Sequence, residues 1–546
     1  MESSDTVVGG SGGDAKAASS PGVAPKMYAR KASGLMRSVS AWDVFGLGAG
    51  NSLLGLGIAF ILVYVPFLYA GASVYLSVVL CGILVLPGIL VYLKLSIVYP
   101  RSGGEYVYGS RVLHPVLGFG ANVCFAVGMC FYVGLGGAYV VGYGLAPMLQ
   151  VAGVQLGNMS MVNAGTWLIG KSGTFLVGAV LILVFATVLT VWGTRTYYRI
   201  QGVLVVLGSA SLIFIGIWGL VASKATAMAN LDQLFGALGM GQASALAAGS
   251  LPGFSFSQTL YSLVWPSVFM VAAYYGVYVG GEVKSPQRTQ LIGGMSAWGY
   301  MIAVPLLVLA GCAAVFGLPF FMNLSAAMAQ STFGVAGAPS FAALVAGAIG
   351  NGYVTILLLC GFMAFPLVMV GAILILVSRC IFAWSIDRVM PDALSKVSSR
   401  SHQPYVATWI AAIVSILYAL LVSYGYMTAL AANWGFFIAE AVAFAAAVLL
   451  PYRRKGLWES SPGSRRILGL PDIVVLSILA MPLFVFSIWR CLVDVNIGVT
   501  PLHNFPQFIS FFIIFAVAVV VYFIAKAVRA GQGVDIARNY KEIPPE

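Results

Sequence analysis

The sequence predicts an all-α polytopic membrane protein of 12 transmembrane helices, and three observations carry that reading. Hydrophobic residues fill 60% of the 546 positions and charged residues only 8%, where a soluble domain carries about a quarter charged residues. After Trp42 the chain holds 12 apolar stretches, each matching the roughly 20 residues that cross a bilayer. The basic residues also alternate with those stretches. With the N-terminus inside, all but Lys171, Lys224 and Arg490 of the 28 Lys and Arg fall on the inner side. That is the positive-inside signature, and one missed helix would invert it. The net charge of +12 is therefore a topology signal and calls for no nucleic acid.

Taken in order, residues 1–36 are rich in Gly, Ser, Ala and Lys and read as a disordered cytoplasmic tail. They show no hydrophobic run ahead of a cleavage site, so no signal peptide is expected. The predicted spans are 42–66, 72–98, 116–146, 173–193, 200–223 and 259–281, then 292–316, 350–379, 405–424, 428–451, 471–491 and 507–528. Residues 317–349 are uncharged and rich in Ala, Gly and Ser, which allows a re-entrant or surface helix. Residues 529–546 form a second cytoplasmic tail. The seven cysteines lie in or beside apolar segments without a CxxC pair, and the three histidines are scattered. Neither a disulfide framework nor a metal site is expected.

Two spans break the rules of an ordinary membrane helix. The first carries five glycines in the twelve residues Gly46–Gly57, with Asn51 and Ser52 among them. Glycine weakens a helix by about 1 kcal/mol relative to Ala, and polar groups at membrane depth need partners. Close helix packing and a binding site are both consistent with this stretch. The sixth span carries Pro266, then Tyr274, Tyr275, Gly276 and Tyr278. Disrupted helices at matching places, five spans apart, point to two inverted five-helix repeats, residues 37–223 and 224–451. Spans eleven and twelve, within 452–528, lie outside them.

Glu440, in the tenth span, is the ionisable side chain clearly at mid-depth. It reads as a proton carrier, a counter-ion for a cationic ligand, or a hydrogen-bonded structural group. Glu282 stands beside Lys284, and a local ion pair is expected there. No nucleophile–base set and no full phosphate-loop pattern accompanies these features, so neither an enzyme nor ATP-driven chemistry is expected.

Pro100-Arg-Ser-Gly-Gly-Glu-Tyr-Val-Tyr108, with Arg111, His114-Pro115 and Leu117-Gly-Phe119, resembles the signature between helices two and three of the amino acid–polyamine–organocation (APC) superfamily of amino acid permeases. Gly281-Glu-Val-Lys-Ser-Pro286-Gln-Arg288 is a second match. The stretch from Arg379 to Asp387-Arg-Val-Met-Pro391, with Pro404, is a third, and Leu54-Gly-Leu-Gly-Ile58 resembles the glycine motif of helix one. The resemblance covers roughly residues 40–450. It implies a LeuT-type 5+5 inverted repeat plus two C-terminal helices, with a site between helices one, three, six, eight and ten.

Carried over, Ser52, Leu53, Gly55, Leu56 and Gly57 would hold a substrate carboxylate. Phe269, Val271, Ala272, Ala273, Tyr274 and Gly276 would meet an α-amino group and supply an aromatic gate. The sequence departs from the family pattern at Leu56, where a Ser is common, and at three further places. Lys94 stands where many members have Glu, Tyr274 where some exchangers have Glu, and helix five lacks the Lys of some proton-coupled relatives. The implied function is secondary active amino acid transport by alternating access, as proton symport of neutral or broad-range amino acids, with Glu440 the ion-coupling candidate. Amino acid/polyamine antiport, sodium-coupled carriage and a non-transporting amino acid sensor on the same fold remain open. The expected partners are an amino acid, a coupling ion (the proton ahead of sodium) and the lipid bilayer, with no cofactor. The expected location is the plasma membrane, with both termini cytoplasmic.

Overall fold

The structure, a computed structural model, describes residues 35, 37–329, 340–426, 433–497 and 500–541. Among these are 12 helices long and apolar enough to cross a membrane. They are Ala41–Leu68, Val74–Val98, Pro115–Gln155, Lys171–Trp192, Thr194–Val221, Phe256–Tyr278, Pro286–Val315, Gly352–Ile386, Tyr405–Ser423, Phe436–Arg453, Asp472–Val493 and Phe505–Gly531. Each corresponds to one sequence-predicted span. The start expected for the tenth, at 428, lies outside the described residues.

The first span begins where Ser40 and Asp43 cap one another. The Asp43 amide donates to Ser40 Oγ (3.3 Å) and the Ser40 amide to Asp43 Oδ2 (2.8 Å), which satisfies two of the amides a helix start leaves bare. Its helix stops at Asn51 and restarts at Leu54. Between them Leu53 adopts φ 50°, ψ 41°, a left-handed conformation that is uncommon for a residue with a Cβ. The sixth span is broken as well. Helices Phe256–Tyr261 and Val264–Met270 give way to a 3₁₀ run over Val271–Tyr278. Runs longer than three or four residues are uncommon in that geometry and mark hinges or strain.

Burial separates an inner from an outer layer. The most apolar window of the eighth span is 89% buried, and those of the sixth, first and third are 83%, 78% and 72% buried. The twelfth is 17% and the fourth 28% buried, so these spans show most of their surface to the bilayer. The two broken spans are packed together: a Cβ added to Gly48 would meet Ala297 and the backbone of Ala272 and Ala273. Residues 317–349 hold helices Leu318–Ala329 and Phe341–Ile349, and 330–339 lie outside the described residues.

Candidate functional site

Where the first span breaks, the amides of Leu53, Leu54 and Gly55 find no backbone acceptor among the described residues, and the next bonded amides are Leu56 and Gly57, both to Leu53 O. Three bare N–H groups at the start of a helix favour an anion. Ser52 Oγ donates to Ala49 O at 2.5 Å, leaving its oxygen lone pairs available. Asn51 is 6% exposed, and neither its Oδ1 nor its Nδ2 has a partner. A buried amide without partners costs about 1–3 kcal/mol per lost bond, so its retention calls for something that satisfies it.

Asn51, Ser52 and Leu53 face a cavity of about 60 Å³, walled with them by Leu56, Gly57 and Phe60 of the first span. Met129, Tyr132 and Tyr139 of the third span, and Val264, Trp265, Val268, Phe269 and Tyr275 of the sixth, complete most of the wall. Met369, Ile373, Phe436 and Ile497 close the rest. That volume holds a few groups of water size, at about 10–15 Å³ each. Among the described residues, no Asp, Glu, Lys, Arg or His lies on the wall.

Of the sequence-predicted residues, Ser52, Leu53, Leu56, Gly57 and Phe269 line this cavity. Gly55 instead turns toward the eighth span, where an added Cβ would meet the Phe362 ring at 2.6 Å. Ala272 and Ala273 pack on Gly48, Gly276 packs on Val44, and Val271 is buried beside them. Tyr274 stacks on Tyr92 (3.9 Å, 13°) and donates its hydroxyl to Glu440 Oε1. Glu440 is 1% exposed and its Oε2 has no partner. It is not on the cavity wall, but its partner Tyr274 lies against the wall residue Tyr275 (rings 5.5 Å apart). Asn51, Tyr275, Tyr132 and Trp265 were absent from the sequence-derived set. For Asn51 a signal existed, an amide inside an apolar glycine-rich run.

Both ends of the cavity are closed. Away from the main cluster of Lys and Arg, Trp265 stacks on Tyr64 (5.3 Å) and crosses Phe60 edge-on (5.7 Å). Its Nε1 donates to the Tyr69 hydroxyl (3.2 Å), which donates to Asp494 (2.7 Å), itself paired with Arg490.

At the other, basic end the closure is buried and ionic. Tyr278 donates its hydroxyl to Glu105 Oε2, and Asn122 donates to Oε1 at 2.8 Å while accepting from Trp384 Nε1 at 2.7 Å. Arg379 Nε meets Glu282 at 2.5 Å, and Arg111 Nη2 grips both oxygens of Asp387 at 3.0 and 2.9 Å. The expected pairing of Glu282 with Lys284 is thus replaced by Arg379, 97 residues away, because the 3₁₀ end of the sixth span turns Glu282 inward while Lys284 stays exposed. The segment before the first span joins in: Val39 N donates to Glu282 O at 3.0 Å. Glu105 lies on the short helix Glu105–Val112, outside the spans. Burial pushes its carboxyl from 4.5 up to about 7, against the lowering effect of the bonds from Tyr278 and Asn122.

A helical bundle of 12 spans holding a small uncharged cavity between two broken helices, closed at both ends, has the build of a membrane carrier for a small molecule. The sequence profile of the amino acid permease family matches residues 39–525, most of the chain, and the protein belongs to that family of amino acid transporters in the APC superfamily. No curated protein matches it.

Proposed function

We propose that the protein is a secondary active transporter of neutral amino acids that works by alternating access, coupled to protons. The observation that carries the substrate reading is the cavity wall. It offers the bare amide of Leu53 and an unsatisfied Asn51, and it has no formal charge among the described residues. A zwitterion brings its own charges: its carboxylate meets the N-terminus of Leu54–Leu68, and its ammonium meets the carbonyls where the Val264–Met270 helix ends. Apolar and aromatic walls then suit an uncharged side chain. A cationic substrate would need a counter-charge at the wall, and Glu440 stands one tyrosine away from it.

Coupling is assigned to Glu440. Its proton occupancy governs the bond from Tyr274, and Tyr274 is the chain neighbour of Tyr275 on the cavity wall. The first and sixth spans act as the matching broken helices of a 5+5 inverted repeat over residues 37–451. The basic end faces the cytoplasm and the protein sits in the plasma membrane.

The test uses purified protein in liposomes and radiolabelled neutral amino acids. Uptake is expected to accelerate with an inward proton gradient. Asn51→Leu is expected to lose substrate binding, and Glu440→Gln to keep binding while losing the response to the gradient. Uptake indifferent to pH would sink the coupling, and full binding by Asn51→Leu would sink the site.

A further inference from the structure

A second cavity, of about 420 Å³, opens at the basic end where the helix Glu105–Val112, the tail of the tenth span, the twelfth span and the C-terminal turn Ile536–Tyr540 meet. Its walls carry Arg111, His114, Arg454, Lys526 and Lys541, and no acidic side chain among the described residues. Arg111 is answered by Asp387 through Nη2, yet its Nε is buried without an acceptor. Arg454 spends its guanidinium on neutral main-chain oxygens, those of Arg111 (3.2 Å), Tyr540 (3.0 Å) and Lys541 (3.4 Å). It is therefore held in place with its charge unanswered among the described residues. Lys526 and Lys541 are exposed and make no ion pair among the described residues. Several cations brought together from separate elements repel one another unless an anion sits among them.

The surroundings say what kind of anion. Phe523 lines the same cavity and is 53% exposed. Ile513, Val517, Val520 and Ile524 are also exposed on the twelfth span, the least buried of the bundle. A charged pocket thus continues directly into an apolar flank open to the bilayer, the arrangement that takes a lipid headgroup with its chains alongside. We propose that this cavity binds the headgroup of an anionic phospholipid from the leaflet at the basic end, with an acyl chain against Phe523 and the twelfth span. The lipid would pin the C-terminal turn onto the helix that carries Arg111. The groove around Arg195 and Arg199 offers a contrast, because its wall includes Asp43, and it serves as the control.

The experiment measures thermal unfolding of the full chain in nanodiscs of phosphatidylcholine, with and without phosphatidylglycerol, and counts retained lipid by native mass spectrometry. Phosphatidylglycerol is expected to raise the unfolding temperature by several degrees, since a ligand of the native state stabilises it. At least half of that shift should vanish in Lys526→Gln/Lys541→Gln, with loss of the retained lipid, while Arg195→Gln/Arg199→Gln keeps both. Equal loss in the two double variants would reduce the effect to general surface charge and overturn the site. A full shift with soluble glycerol phosphate alone would assign the pocket to a free anion. A lipid-free dimer would give the apolar flank to a second copy of the chain.

Discussion

At the basic end of the bundle, closure rests on buried charge. Arg379–Glu282 is 0% and 2% exposed and Arg111–Asp387 is 3% and 2% exposed, with the Tyr278–Glu105–Asn122–Trp384 chain beside them. At the opposite end it rests on aromatic packing around Trp265 and on Tyr69, hydrogen-bonded to the Asp494 of one local ion pair with Arg490. Buried ion pairs add little net stability because desolvation offsets their attraction, but half of a broken pair is very costly. The basic end is thus suited to a switch: intact when closed, rehydrated when open, and intolerant of anything between. The aromatic end gives up packing area gradually. It also matters which residues form the basic lock. Glu105, Arg111, Glu282, Arg379 and Asp387 come from the three stretches that carry the family resemblance outside helix one, so those stretches close the basic end, while the central cavity is built by others.

The largest expected effect comes from breaking the buried lock on one side. Arg379→Leu leaves Glu282 uncompensated and should cost about 3–5 kcal/mol, read as a lowered unfolding temperature or failure to purify. Arg379→Leu/Glu282→Leu should recover most of that loss. If the double variant is as unstable as the single one, the pair is not the cause. Next comes the cavity. A Cβ at Gly57 presses on the Phe269 ring, while one at Gly55 presses on Phe362 outside the wall. Gly57→Val should therefore abolish the thermal shift given by a bound amino acid. Gly55→Ala should lower stability by about 1–3 kcal/mol through overpacking while keeping part of that shift. Equal loss of the shift in both would erase the distinction between cavity wall and packing.

A smaller effect separates the two ends by pH. Glu105 holds its proton up to about pH 7 in the fold, against 4.5 for the free group. Between those values the folded state binds more protons than the unfolded one, so stability falls as pH rises from about 4.5 to about 7. The groups around this carboxyl are Tyr278 and Asn122, which bond it, Trp384 behind Asn122, and Tyr92, Tyr108, Tyr275, Cys380 and Glu440, which lie within reach of its charge. Glu105→Gln should flatten that part of the stability profile. A profile unchanged by the substitution would remove Glu105 as its source.

The membrane fold was largely legible in the sequence because a spanning helix is a one-dimensional signal, an apolar run of bilayer length. The break in the first span was legible for the same kind of reason, five glycines and an amide in one turn-rich stretch. Facing was harder to read. Successive residues on a 3₁₀ run point about 120° apart, so Tyr275 reaches the cavity while Tyr274, its neighbour, reaches Glu440. Periodicity could not say which. Gly55 and Gly57 differ in the same way. Partners far apart in the chain were out of reach altogether: Glu282 finds Arg379, and Lys94 finds Asp472 at 2.7 Å, bracing the second span against the eleventh.

The mildest perturbation belongs to the aromatic end. Tyr69→Phe removes one hydroxyl, yet Asp494 keeps Arg490 and the Asn496 amide (3.0 Å). Trp265 keeps its stacking on Tyr64 but loses its hydrogen-bond acceptor. Stability should fall by only about 1 kcal/mol, the usual worth of one such bond. Access should change more than stability, because the hydroxyl bridges the sixth span to the segment after the eleventh. Ile497 lies on the cavity wall beneath that bridge. With Cys360, the exposed native thiol, replaced by Ser, a cysteine introduced at Ile497 should react severalfold faster with a water-soluble maleimide in Tyr69→Phe. Glu105→Gln, at the far end, should leave that rate unchanged. Equal acceleration by both would mean the two closures are one cooperative unit, and the contrast between a switch-like and a graded end would fail.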